Sequence, residues 1–151
     1  MDNNEVEILL VEDSMADAEM TIRALKKASL ANRVLHLKDG AEALDFLFGH
    51  GIFSKRELTN NPKVILLDIK MPKVDGIEVL RQIRSNEATR LIPVVIMASS
   101  MEETEIIKSY GLGINSYVMK PVGFETFAKA ISETGLYWSL INRATKILDN
   151  G

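Results

Sequence analysis

The run Lys63-Val64-Ile65-Leu66-Leu67-Asp68 restricts the fold more than any other stretch of this 151-residue chain. Its apolar residues are unbroken, β-branched at Val64 and Ile65, and they stop abruptly on a carboxylate. Pro72, Asp75 and Gly76 follow, which is turn chemistry. So short an apolar run between turn signals reads as a strand buried on both faces. Asp68 then sits at its carboxyl end, where open α/β sheets place their ligand sites. Burying an unpaired charge is costly, so a metal or a lysine is required beside it.

The pattern recurs along the chain. Val6 to Val11 is a second buried strand, ending at Glu12-Asp13-Ser14. Ser14 with Asp17 three residues on forms a helix-entry signal, and the spacing predicts a helix over 15–29 with Met20, Ile22, Leu25 and Ala28 on one side. Asn32 to Leu37 alternates and is more polar, as an edge strand would be. Asp39-Gly40 leads into a short helix, with Ala41, Leu44, Leu47 and Phe48 inward. A polar excursion with Lys55, Arg56 and Glu57 runs to Pro62 and is expected to be solvated. After the Asp68 strand, helices are expected over 75–86, 102–110 and 124–148, with strands at 93–98 and 116–119. Strands alternating with helices five times imply a doubly wound α/β domain, a five-stranded parallel sheet covered on both faces. No linker, repeat or low-complexity tract divides residues 1–151, and a single domain with its core over about 6–140 is expected.

In a parallel sheet every carboxyl end lies on one rim. Glu12, Asp13, Asp68, the Ala98-Ser99-Ser100 segment and Lys120 therefore converge. Clustered carboxylates repel unless a hard cation neutralises them, and Mg²⁺ takes oxygen ligands from one or two carboxylates together with phosphate. Asp68 is then a nucleophile toward phosphorus, with the metal and Lys120 stabilising the transferred oxygens. Composition removes rival chemistries. There are no cysteines for disulfides or thiolate sites, and the two histidines, His36 and His50, have no partner visible in the sequence. The net charge of −3, with scattered basic residues, gives no case for nucleic acid. No apolar run is long enough to span a membrane, and no signal-peptide pattern opens the chain, so a cytoplasmic location is expected. Met97, Met101 and Met119 read as core packing.

Leu-Val-Glu-Asp at 10–13, Leu-Leu-Asp-Ile-Lys-Met-Pro at 66–72 with Asp75-Gly76, and Tyr-Val-Met-Lys-Pro at 117–121 resemble the response-regulator receiver domains. That resemblance, CheY-like, implies strand order 2-1-3-4-5. It implies that Asp68 accepts a phosphoryl group from a kinase phosphohistidine. Asp13, Asp68 and the Lys70 backbone carbonyl would ligate Mg²⁺, for which Mn²⁺ can substitute, and Glu12 would act through a water. Lys120 would contact the phosphoryl group, with the Lys120-Pro121 bond cis, and Tyr117 would be the aromatic that moves on activation. The long excursion, Ser109 to Leu112, and the tail around Tyr137-Trp138 resemble more narrowly the small regulators of phytochrome-type kinases. This implies a sensor histidine kinase or a histidine phosphotransfer protein as partner, and a homodimer.

One position departs from the pattern. The residue that normally supplies a hydroxyl to the phosphoryl group, Thr or Ser, falls on Ala98. Successive strand residues face opposite ways, so Ser99 replaces it only through a bulge or a slip. The second reading is therefore a constitutive docking module with an uncoupled switch. A hydrolase would need an acid where Lys70 stands, and a flavin carrier would need a phosphate cradle where Glu12-Asp13 stands.

Overall fold

The computed structural model describes residues 6–28, 33–58, 60–70 and 75–133. Five parallel strands, β1 Ile8–Val11, β2 Val34–Leu37, β3 Val64–Asp68, β4 Val94–Ala98 and β5 Ser116–Met119, lie in the order β2-β1-β3-β4-β5. Between them run α1 Met15–Lys27, α2 Gly40–Phe48, α3 Gly76–Ser85 and α4 Met101–Ser109, and α5 Phe124–Glu133 follows β5. The expected order is the observed one. The expected extension of the last helix to 148, with Tyr137 and Trp138, lies outside the described residues.

Strand alternation divides the core into two layers. Leu9, Val11, Ile65, Leu67, Val94 and Ile96 pack with Phe46, Leu80 and Ile83 on the α2–α3 side. Ile8, Leu10, Val64, Leu66, Val95 and Met97 pack with Leu25, Phe127 and Ile131 on the α1–α5 side. β1, β3 and β4 are buried along their whole length because helices cover both faces. β2 is half-buried for three of its four residues, as its alternating sequence suggested for an edge.

Helix entries follow side-chain chemistry. Ser14, Asp39, Asp75 and Ser100 each accept the backbone N–H three residues ahead, satisfying donors the helix itself cannot. The inward faces differ from expectation in two helices. α2 buries Ala43, Phe46 and Leu47, while Ala41, Leu44 and Phe48 are half-buried, because Phe46 points down as the pivot of its own cluster. α1 buries Thr21 and Ala24 and leaves Met20 exposed; small residues let this helix lie close to the sheet. Met101 is also exposed rather than core.

The excursion after α2 is not merely solvated. Phe53 is buried edge-on against Phe46 with ring centroids 5.2 Å apart, and the Arg56 guanidinium lies 4.2 Å from the Phe46 centroid. Arg56 also donates to the Asn60 carbonyl at 2.7 Å, so its stem covers the ring while its head is paired. Lys55 and Glu57 do face solvent.

Gly76 opens α3 against the end of β3. A Cβ there would stand 2.6 Å from the Asp68 carbonyl oxygen and 2.7 Å from Ile69 Cα, both backbone. Neither can yield without moving Asp68. Gly76→Ala is expected to cost about 1–3 kcal/mol in urea unfolding, the usual cost of overpacking. A cost within error of zero would contradict this close approach.

Candidate functional site

The alternation that sorts the core also aims the rim residues. Ile8 and Leu10 face the α1–α5 side, as do Val64 and Leu66, and as does Val118. Continued in steps of two, those rows arrive at Glu12, Asp68 and Lys120. Lys120 Nζ lies 2.8 Å from Glu12 Oε1 and 3.1 Å from Asp68 Oδ2. A third carboxylate, Asp17 Oδ2 in the first turn of α1, is 3.1 Å from the same ammonium. One ammonium is thus shared by three carboxylates. Asp68 Oδ1 accepts the Lys70 N–H at 3.3 Å, and Glu12 Oε2 accepts the Ser14 N–H at 3.2 Å. The Lys120-Pro121 bond is cis.

The charges are unbalanced. Glu12 is fully buried, and its pKa is pushed from 4.5 to about 7, first by burial and then by the neighbouring Asp68, against the pull of Lys120. Burial works against the Lys120 ammonium, but Glu12, Asp17 and Asp68 together hold its pKa above its ordinary value. A raised carboxyl pKa in the folded state means the folded protein binds the extra proton. Its contribution to stability is present below pH 4.5 and lost as pH rises through about 7. In a chelator, stability is expected to fall by up to about 3 kcal/mol across that window, and Glu12→Gln is expected to flatten the fall. Urea midpoints measured at several pH values check it; equal slopes for both proteins would contradict it.

One carboxylate oxygen from each of Glu12, Asp13 and Asp68 falls within 4.8 Å of the others. Asp13 is exposed and the other two are buried, so the cluster opens to solvent on one side. An all-oxygen set with excess negative charge fits a hard divalent cation, and the raised Glu12 pKa marks the charge such an ion would neutralise.

The opposite side of the rim is built differently. Ala98 is fully buried on the α2–α3 side, and β4–β5 pairing continues through Ala98↔Met119 without a bulge or slip. Ser99 lies beyond the strand and is exposed. Tyr117 is half-buried against the core, its ring 5.5 Å from the Lys108 ammonium, and burial raises its pKa. Lys70 extends its exposed side chain to Glu103 Oε2 at 3.1 Å. Glu103 itself is buried, and its Oε1 accepts the Ser99 N–H at 2.8 Å.

Sequence reasoning had not singled out Asp17 as a site residue, nor Glu103 at all. Asp17 was legible only as a first-turn acid, and the signal available was that its helix starts directly after the end of β1. Glu103 sits three residues after the capping Ser100, a spacing that reads as helix entry rather than as a site. His36 does have a partner: its Nε2 is 2.7 Å from the Glu12 carbonyl oxygen, across the β1–β2 edge.

Residues 8–132 match the family described as the response regulator receiver domain. The bacteriophytochrome response regulator RtBRR is 52% identical, with a TM-score of 0.84 over 89% of this chain and 81% of its own. Response regulator Rcp1 of Synechocystis is 37% identical over 131 residues, 87% of this chain and 87% of its own. The Mn(2+)-bound form of Rcp1 superposes with a TM-score of 0.67 over 85% of this chain and 89% of its own. The phosphorylated cyanobacterial phytochrome response regulator RcpA is 34% identical, with a TM-score of 0.71 over 87% of this chain and 93% of its own. The five-stranded rim of acids and lysine belongs to a receiver domain. The chain is a member of the response regulator family, close to the phytochrome-associated regulators, and works in two-component signalling. Receiver domains of this kind are signalling proteins that interact with sensor kinases.

Proposed function

We propose that this chain is a single-domain response regulator in which Asp68 takes a phosphoryl group from the phosphohistidine of a sensor kinase or of a histidine phosphotransfer protein. The observation that carries the reading is the buried Asp68 carboxylate, 3.1 Å from the Lys120 ammonium and inside the Glu12–Asp13–Asp68 cluster. An Asp68 oxygen forms the new bond to phosphorus as the donor N–P bond breaks, and the electron pair remains on the imidazole nitrogen. Lys120 pairs with a transferred oxygen, and the Lys70 N–H keeps the carboxylate oriented.

Asp13, Asp68 and the Lys70 backbone carbonyl would hold Mg²⁺, with Glu12 one water further out. That cation supplies neutralisation of the negative charge on the transferred oxygens. The manganese-bound form of the related Rcp1 supports a divalent ion and the use of Mn²⁺ in its place. The names of RtBRR and RcpA favour a phytochrome-type kinase as the donor. Output runs through protein contact at the face of α4, β5 and α5, where Tyr117 lies, in a cytoplasmic homodimer. Among the described residues no helix is long and apolar enough to cross a membrane.

Ala98 keeps a second reading in view, a docking module whose pocket no longer drives a conformational change. Intact-mass spectrometry of the wild type with acetyl phosphate separates the two. The expected result is one phosphoryl group per chain with Mg²⁺ and none with excess chelator. No adduct at any magnesium concentration would leave the docking module.

A further inference from the structure

We propose that Glu103 is the positioning residue through which phosphorylation reaches α4, an internal anion that holds the Lys70 ammonium and the Ser99 N–H until the phosphoryl group competes for them. The inference rests on Asp68 being the acceptor, and it supplies the coupling that Ala98 removes.

A continuous chain of contacts leads from Asp68 to α4. The Lys70 N–H donates to Asp68 Oδ1, and the Lys70 side chain reaches Glu103 Oε2 at 3.1 Å. Glu103 Oε1 takes the Ser99 N–H at 2.8 Å, directly after the strand that ends in Ala98. A capping box would return the glutamate to the N–H of its own cap, Ser100. Here it reaches one residue further, out of the helix and onto the rim. Ser100 Oγ meanwhile accepts the Glu103 N–H at 3.3 Å, so the cap stands without the carboxylate.

Little else seats the start of this helix. Its buried residues are Glu103, Thr104 and Ile107, and only Ile107 belongs to the apolar core. Met101 and Ile106 are exposed, and a groove of about 550 Å³ runs between Ile69 and Ile77 on one side and Ile106 and Ile107 on the other. The far end is held differently: Arg84 donates to the carbonyls of Leu112 and Gly113 just after α4. The helix is thus tethered at its C-terminal end and held at its N-terminal end by one buried carboxylate. A phosphoryl group adds roughly 1.5–2 negative charges at Asp68. It attracts Lys70, repels Glu103 and offers the Ser99 N–H a stronger acceptor, so the N-terminal turn of α4 lets go.

Hydrogen exchange of segment 101–109 tests this, on wild type, Glu103→Gln and Lys70→Met, each before and after labelling with acetyl phosphate and Mg²⁺. Lys70→Met removes the contact from an exposed side chain and guards against a packing defect in the Glu103 variant. Exchange in wild-type α4 is expected to rise about tenfold on labelling, the scale of an ordinary coupling. Both variants are expected to show that rise before labelling and to change less than about twofold afterwards. Variants that respond as the wild type does, or a labelled wild type whose α4 does not respond, would overturn the role of Glu103 alone. A wild type that takes no label would overturn the acceptor reading as well.

Discussion

Asparagine in place of Asp68 is expected to abolish phosphoryl uptake and, in a chelator, to make the protein more stable by about 1 kcal/mol. The first effect follows from chemistry: an amide oxygen is a poor nucleophile toward phosphorus, and no other carboxylate on the rim shares the position of Asp68. The second follows from the charge count. Glu12, Asp17 and Asp68 surround one ammonium, Asp13 adds a further charge beside Glu12 and Asp68, and Asp68 is among the causes that raise the Glu12 pKa. Removing one charge from an over-negative cluster relieves more repulsion than the Lys120 contact it forfeits. Intact mass and urea unfolding on the same preparation read both effects. Loss of labelling in a destabilised protein would point to misfolding, and labelling at the wild-type rate would place the acceptor elsewhere.

Lys120→Met is expected to be the most destabilising substitution in the rim. Methionine keeps the stem volume but leaves Glu12 and Asp68 buried without their shared cation. Stranding one side of a buried ion pair costs about 3–5 kcal/mol, and protonation of Glu12 limits the loss toward the lower figure. Because that rescue is a proton uptake by a Glu12 that Lys120 no longer holds down, the cost is expected to be smallest below about pH 7, where Glu12 is protonated in both proteins, and to grow as pH rises above it. Labelling by acetyl phosphate is expected to slow about 100-fold, the usual effect of deleting one donor from a site of developing charge. Equal stabilities of variant and wild type at pH 8 would contradict the geometry of the ammonium.

The fold and most of the rim could be read from the residue pattern alone. Buried parallel strands announce themselves by unbroken apolar runs, and each of Val11, Leu67 and Met119 is followed at once by a charged group that no core would accept. The parity of 8, 10, 12 and of 64, 66, 68 even gives the side of the sheet on which Glu12 and Asp68 meet. What the pattern missed depends on geometry between distant segments. Asp17 and Lys120 are far apart in sequence and come together only because α1 lies beside the end of β5. Glu103 carries an ordinary helix-entry spacing, and only the structure shows its carboxylate passing over Ser100 to Ser99. Arg56 looked like a solvated cation because its stacking partner, Phe46, precedes the excursion by a whole turn of chain.

Ala98 separates chemistry from response. Three groups that would receive phosphate, Asp68, Lys120 and Glu12, gather on the α1–α5 side of the rim. The missing hydroxyl lies on the other side with Glu103 and α4. On the proposed reading, acceptor chemistry does not depend on what stands at 98, and the response is conveyed by charge through Lys70.

The most direct test is to locate the phosphoryl group. Borohydride reduction of the acetyl-phosphate-labelled wild type, followed by peptide sequencing, marks the acyl phosphate at the residue that carried it. The account predicts a single modified position, Asp68, within the segment that contains β3. Modification at Asp13, Asp17 or Glu103, or an unmodified chain after full exposure to donor and Mg²⁺, would contradict it.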